Sequence, residues 1–475
     1  MVTLPLRFRE RYREQFGSSE LDALEVALER PLVSAIRFHP TEDRGKGKLR
    51  SVPWSSTGYY VDQATTFGAD PLWYAGLYYV QEPAAMFVEQ FLSQLALQPT
   101  TALDLCAAPG GKSTILRSLI PDTSLLVANE PEPKRAKILA ENLLRWGLDE
   151  TIITSTYPDH LARSGITFEL ILVDAPCSGE GMFRKEPQAV TEWSEANVAQ
   201  CVRRQREILD AAWQMLQPGG TLIYSTCTFN LEENEEQLLY LQKQYNAQLL
   251  QVETEPQWGI QHSTGVYRFA PHHTESEGLS LFAVRKALRS DSTHHQLLTT
   301  ESTSTPTRSK GKASKSGNPQ GLSLPGEVCI HALEMLQQPE QSATQIPHPY
   351  LLSPLGETYR RRLSEARIRL LSCGIPLGQA KGRDFIPHTA LALAKLHHAE
   401  LHYPTLSLSP SEALTYLRGE ALTIPNAPKG ILLLTFEGTP LGFAKSLPNR
   451  INNLYPKELR LRSNSFTTND IPTLF

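Results

Sequence analysis

From Thr100 to Lys286 short apolar runs alternate with stretches of helical period. A strand–helix–strand–helix order of this kind restricts the chain to a parallel sheet covered by helices on both faces. Strands are expected at Ala102–Cys106, Ser124–Asn129, Thr151–Ser155 and Glu169–Asp174. The last is apolar almost throughout, as a strand buried on both faces must be. Helices are expected at Ser113–Leu119, Pro133–Trp146 and Glu195–Leu216. Pro218-Gly219-Gly220 turns the chain into a fifth strand, Thr221–Ser225, and Gly278–Val284 reads as a closing strand. The fold class is therefore α/β, with a doubly wound, Rossmann-like core.

The first strand runs into Cys106-Ala107-Ala108-Pro109-Gly110-Gly111-Lys112, a loop of small residues that opens a helix. Small residues let the backbone approach a ligand, and the helix N-terminus offers free N–H groups. A phosphate-binding P-loop needs glycine five positions before Gly111, where this chain has Cys106. The dinucleotide fingerprint G-x-G-x-x-G does not fit this strand end either. S-adenosyl-L-methionine remains, with Glu130, just after the second strand, placed as the acid for its ribose hydroxyls.

Two cysteines end two strands: Cys177 follows Asp174-Ala175-Pro176, and Cys227 follows Ser225-Thr226. Ligands of doubly wound sheets bind beyond the carboxyl ends of the strands. If the fourth and fifth strands are neighbours, both thiols face one crevice beside the methyl donor. A lone buried cysteine is ordinary core, but this pairing is not. No metal is expected at the thiols, because no further ligands lie at metal spacing near them. The chemistry of cytosine supplies a use for them. Its carbon 5 is a poor nucleophile until a thiolate adds to carbon 6. Asp174 is placed to act on ring nitrogen 3, and a second thiol can assist release. Arg184 and Lys185, just after the loop, are candidates for the cation that favours a thiolate.

Four segments together resemble the Sun-type RNA cytosine-5 methyltransferases: DLCAAPGGKS at 104–113, DAPCSGEG at 174–181, PGGTLIYSTCT at 218–228 and EENE at 232–235. YYVQEPAAM at 78–86 adds to the likeness, which covers about residues 78–240. The resemblance implies that Cys106 to Lys112 line the methionine and ribose of the cofactor and that Glu130 holds the ribose. It implies that Asp174 lies near both donor and base, that Cys227 attacks, and that Cys177 helps release the product. It further implies an acid near the adenine, for which Asp159 is the best match. LPLRFRERYREQFG at 4–17 and the segments around Ser411–Glu420, Pro440–Lys445 and Asn453–Arg460 resemble the flanks of the bacterial enzymes that act on small-subunit ribosomal RNA. That implies a PUA-like, RNA-binding C-terminal domain and a 16S rRNA or small-subunit substrate. A tRNA enzyme of the same chemistry is the alternative. A non-catalytic ribosome assembly factor is a further one, and damaged catalytic positions would mark it.

The expected domains are an N-terminal, helix-rich RNA-binding module (1–80), the methyltransferase core (81–288), a linker (289–326), a connecting domain (327–398) and the PUA-like domain (399–475). The linker reading rests on Thr299–Gln320, a Ser, Thr, Lys, Gly and Pro stretch too polar to repay ordering. A net charge of −4 is not that of a strongly basic RNA binder. Three basic runs offset this: Arg7, Arg9, Arg11 and Arg13; Arg360, Arg361, Arg362, Arg367 and Arg369; Arg450, Lys457, Arg460 and Arg462. They are read as RNA contacts. No apolar run is long enough to span a membrane. With six cysteines in 475 residues, two of them needed as free thiols, the expected setting is cytoplasmic, and a monomer is expected.

Overall fold

The computed structural model describes residues 3–42, 47–288, 350–381, 384–394 and 403–474. The stretch read as a linker, 289–326, lies outside the described residues, as does part of 327–398.

The core is the expected doubly wound sheet. Its strands are β1 (Thr101–Asp104), β2 (Leu125–Asn129), β3 (Thr151–Thr154), β4 (Phe168–Asp174), β5 (Leu216–Thr226), β6 (Gln248–Leu250), β7 (Leu279–Arg285) and β8 (Leu370–Cys373). Their order in the sheet is β6-β7-β5-β4-β1-β2-β3-β8. The five central strands are parallel. The remaining strands pair antiparallel with their neighbours: β7 with β5, β6 and a short ninth strand, Tyr267–Phe269, with β7, and β8 with β3. The order in which strands are added reverses between β1 and β4, so the crevice of the fold opens there. Strand β5 begins at Leu216 rather than after Gly220, with a register shift opposite Phe168 and Leu170. Strand β8 comes from the segment read as a connecting domain and extends the core sheet.

Helices α1 (Gly111–Leu119), α2 (Pro133–Trp146), α3 (Pro158–Arg163), α4 (Glu195–Met215) and α5 (Glu235–Tyr245) pack on the sheet. In α2 the buried residues are Ala136, Leu139, Leu143 and Trp146, spaced three and four apart on one stripe. Each of its buried leucines contributes roughly 1.5–3 kcal/mol of hydrophobic burial. Glu132 caps the helix by accepting from Arg135 N, and proline takes the first turn.

The N-terminal module departs from the helix-rich expectation. Only Leu6–Phe16 and Ser18–Leu28 are longer helices. A four-stranded sheet follows, ordered Arg50–Ser51, Gly58–Val61, Ser34–Phe38 and Tyr78–Val80. These strands are two to five residues long, too short to show an alternating pattern. The first arginine run is committed to protein carboxylates. Arg7 pairs with Glu10 and Glu195, Arg9 with Glu25, and Arg11 with Glu232 and Glu195. These pairs dock the first helix on the core instead of leaving three of its arginines free for RNA. Phe8 and Tyr12 pack with Phe183, Trp193 and Phe229, directly under the segments that follow the two cysteines.

The C-terminal sheet is ordered Thr405–Ser407, Gly430–Phe436, Thr439–Leu447 and Arg450–Asn453. Gly430–Phe436 and Thr439–Leu447 form a hairpin whose turn is made by Glu437 (φ 47) and Gly438 (φ 76). Positive φ at both central residues is the type I′ geometry that matches strand twist. This domain packs against the N-terminal sheet through a shared cluster that includes Phe38, Tyr78, Tyr416 and Tyr455. Among the described residues no helix is long and apolar enough to cross a membrane.

Candidate active site

Neighbouring strands β4 and β5 deliver Cys177 and Cys227 to the same crevice. Their Sγ atoms are 3.2 Å apart. One cleft of about 820 Å³ is lined by Cys106, Lys112, Glu130, Asp159, Asp174, Cys177 and Cys227, together with Arg135 and Tyr157. Of the sequence-derived candidates, the loop Ala107–Gly111 adjoins this cleft through its ends. Lys185 is exposed and is not among the lining residues.

Lys185 is therefore corrected as the cation of the thiol pair. Arg184 is also unsuitable: it is buried in hydrogen bonds to Glu277, Ala27 O and Ser276 O. The cation at the site is Lys112, whose Nζ lies 2.8 Å from Asp174 Oδ1. Burial disfavours its ammonium, yet Asp174, with Cys227 and Asp104 adding, holds its pKa above the ordinary lysine value. Asp174 Oδ1 also accepts from Ser225 Oγ at 2.7 Å. Sequence proximity suggested Lys185, whereas the fold brings Lys112 from β1's loop.

The hydrogen bond with Cys227, then burial, pushes the Cys177 thiol well above the ordinary range. Cys177 thus keeps its proton, and either sulfur can be the donor in the contact with Cys227. Both are free cysteines.

Two buried glutamates that sequence reasoning gave no role lock the cysteine loops together. Glu233, from the EENE motif, accepts from Ser178 N (3.0 Å), Gln205 Nε2 (2.7 Å), Asn230 Nδ2 (2.8 Å) and Ser178 Oγ (2.5 Å). Glu180 accepts from Trp193 Nε1, Phe229 N and Asn230 N. Gly181 N donates to Cys227 O at 3.0 Å. A Cβ on Gly181 would stand 2.6 Å from Gly278 O, before β7, and 3.2 Å from Cys227 O, so only glycine lets this loop pack between them. Replacing Glu233 by alanine leaves several buried donors without an acceptor, each costing about 1–3 kcal/mol. Glu233→Ala is expected to lower the melting temperature and to reduce kcat more than KM. A variant with wild-type melting and turnover would remove Glu233 from this role.

On the cofactor side, Gly110 has φ +114, which a side chain resists. Glu130 is buried; its Oε1 accepts from Glu132 N and its Oε2 lies 3.5 Å from Arg135. Asn129 joins the three loops above β1, β2 and β3. It donates to Leu105 O and Thr156 O and accepts from Thr154 Oγ1. Asp159 stands at the mouth, exposed and paired with Arg163. Asp104 is fully buried, with Ser113 Oγ on one oxygen and no partner among the described residues on the other.

Burial drives the Asp104 carboxyl up to about 7 from 3.8. The folded protein therefore holds this proton more tightly than the unfolded chain. That stabilisation is complete below about pH 3.8 and is lost as pH rises through about 7. Asp104→Asn, which keeps an acceptor for Ser113, removes the dependence. Its advantage in melting temperature over the ligand-free wild type should grow between those pH values and then level off. A difference that does not change with pH would contradict the shift.

A doubly wound sheet with this cleft at its carboxyl edge is the architecture of Rossmann-like methyltransferases. A methyltransferase homolog protein from Pyrococcus horikoshii shares it, with a TM-score of 0.51 and 25% identity over 60% of this chain and 96% of that one. So does NSun6 from the same organism, solved with SFG (TM-score 0.51, 21% identity, 59% and 98% covered). The model for 16S rRNA methyltransferase RsmB/F matches residues 94–285. Those for the RsmF N-terminal domain and the RsmF PUA domain match 4–83 and 403–461. Ribosomal RNA small subunit methyltransferase F of Salmonella arizonae is 30% identical over 502 residues, spanning 98% of this chain and 99% of that protein. Its namesake from Citrobacter koseri is 29% identical over 500 residues, spanning 99% of each. The chain belongs to the ribosomal RNA small subunit methyltransferase F family.

Proposed function

We propose that this protein methylates carbon 5 of cytosine in 16S rRNA, using S-adenosyl-L-methionine and a covalent adduct through Cys227. The observation that carries the reading is the thiol pair, 3.2 Å apart in a cleft shared with Lys112, Asp174 and Glu130. The buried unpaired oxygen of Asp104, the strained Gly110 turn and the buried Glu130 carboxylate fit a cofactor that presents an ammonium group and a ribose diol. Asp104, Cys106 to Lys112 and Glu130 would hold it, with Asp159 at the adenine end. When bound, it supplies an electrophilic methyl group on a sulfonium.

The chain's own residues do the rest. Cys227 adds to carbon 6, aided by the S–H of Cys177 and the ammonium of Lys112, both of which favour negative charge on its sulfur. Asp174, held by Lys112 and Ser225, engages the ring nitrogen 3 and exocyclic amine edge of the cytosine. Carbon 5 then becomes nucleophilic and takes the methyl group. Once Cys227 is bonded to carbon, Cys177 releases its own proton to solvent and takes the carbon 5 proton, and the C–S bond breaks to return the Cys227 thiolate. The PUA-like domain, packed on the N-terminal sheet, would grip the RNA outside the cleft. The arginine and lysine run from Arg450 to Arg462 lies in that domain.

The test offers methyl-labelled cofactor with 30S subunits, naked 16S rRNA and tRNA, all from cells lacking this gene. Label in 5-methylcytosine from 16S rRNA is expected. Label only in tRNA keeps the chemistry and overturns the substrate. No label in any RNA favours a non-catalytic assembly factor.

A further inference from the structure

Away from the cleft, three metal-ligating side chains from distant parts of the chain converge. Glu20 lies on the second N-terminal helix, and His272 and His273 lie in the loop before β7. Both imidazoles turn Nε2 to the same oxygen, Glu20 Oε2, at 2.9 and 2.8 Å. All three ligand atoms lie within 4.8 Å of one another. His273 Nε2 is also 3.1 Å from the amide nitrogen of Gln261. A ring nitrogen has a single in-plane site, so it cannot donate to Glu20 while accepting from Gln261. If it accepts from Gln261, its electron pair faces a carboxylate oxygen. A cation between them converts that repulsion into coordination.

We propose that Glu20, His272 and His273 form a zinc-class metal site that staples the N-terminal module to the catalytic core. Two imidazoles and one carboxylate suit Zn2+ or a similar borderline cation rather than Mg2+ or Ca2+, which prefer oxygen. Tetrahedral zinc at its usual bond lengths separates ligand atoms by roughly 3.3 Å. Each imidazole nitrogen therefore needs to draw back from Glu20 Oε2 by only about half an ångström. His273 and Glu20 are each about one-third exposed, at 32% and 30%, which gives the ion an entry path and water a fourth position. The loop also runs into Ser276 and Glu277, which hold Arg184 behind the Pro-Cys segment. The site would thus fix the N-terminal helix beside the floor of the active site. The sequence could not show it, because Glu20 is about 250 residues from its partners.

The cleft thiols also attract zinc, so binding is measured on full-length protein carrying Cys177→Ser and Cys227→Ser. Zinc is titrated against a chromophoric chelator, and Co2+ is used for spectroscopy. One Zn2+ per chain is expected, with cobalt d–d bands and no thiolate charge transfer. His273→Ala, a partly exposed position that the metal-free fold tolerates, should weaken binding by at least about 10-fold, the scale on which even an outer partner affects a metal site. Zinc should raise the melting temperature of the parent protein but not of the His273→Ala variant. Absence of zinc binding overturns the proposal, and so does binding unchanged by His273→Ala, provided that variant melts like its parent without metal. None of these outcomes depends on the methyl-transfer reading.

Discussion

Cys227→Ala is expected to abolish methyl transfer, with a fall in kcat of at least about 10³-fold, the scale on which loss of a covalent nucleophile is felt. Cys177 cannot take over. Its thiol is held protonated by its hydrogen bond to Cys227 and by burial, and it ends a different strand. Alanine at this position removes little volume, and Cys227 is only partly buried, so the fold should stand. Cofactor binding, measured by calorimetry, should be unchanged, because the proposed cofactor ligands lie on β1, β2, their loops and the start of α3, not on β5. Retained turnover would overturn the covalent mechanism. Lost cofactor binding would show instead that the substitution had damaged the cleft.

Cys177→Ala should have the opposite signature on RNA. Attack by Cys227 still occurs, but the step that clears the carbon 5 proton and releases the thiol loses its helper. A protein–RNA band that survives denaturing electrophoresis is expected, while multiple turnover falls away. The Cys177→Ala, Cys227→Ala double variant should show no such band. Normal turnover without an adduct in Cys177→Ala would remove that residue from catalysis.

The core of this fold was legible because its signals are local. The helix at Pro133–Trp146 has the expected limits, set by a proline in its first turn and the glycine after it. Four of the five central strands fall within a residue or two of their apolar runs, and the fifth, β5, starts early at Leu216. The pairing of Cys177 with Cys227 could be anticipated only as a consequence of strand order, which the sheet topology then supplied. What the sequence hid are contacts between distant residues. Lys112 reaches Asp174 across 62 positions, so the nearer Lys185 was the wrong candidate. Glu233 and Glu180 lie in quoted motifs but were assigned no role, and both are buried acceptors. The N-terminal strands escaped notice because two to five residues give no periodicity. The arginine run around Arg7 to Arg11 looked free because the carboxylates that pair with it lie mostly on other helices and loops.

The central claim is that Cys227 bonds to the cytosine that is methylated. The most direct measurement uses substrate RNA in which 5-fluorocytidine replaces cytidine. Fluorine cannot leave as a proton does, so the wild-type enzyme should stall as an adduct after methyl transfer. Trypsin and nuclease digestion followed by mass spectrometry locates the modified peptide. Cys177 and Cys227 fall on different tryptic peptides, because Arg184, Lys185 and further basic residues lie between them. A methylated fluorocytidine nucleotide on the peptide bearing Cys227 is the expected result. An adduct on the peptide bearing Cys177, or label transferred to RNA with no adduct on either peptide, would contradict the account.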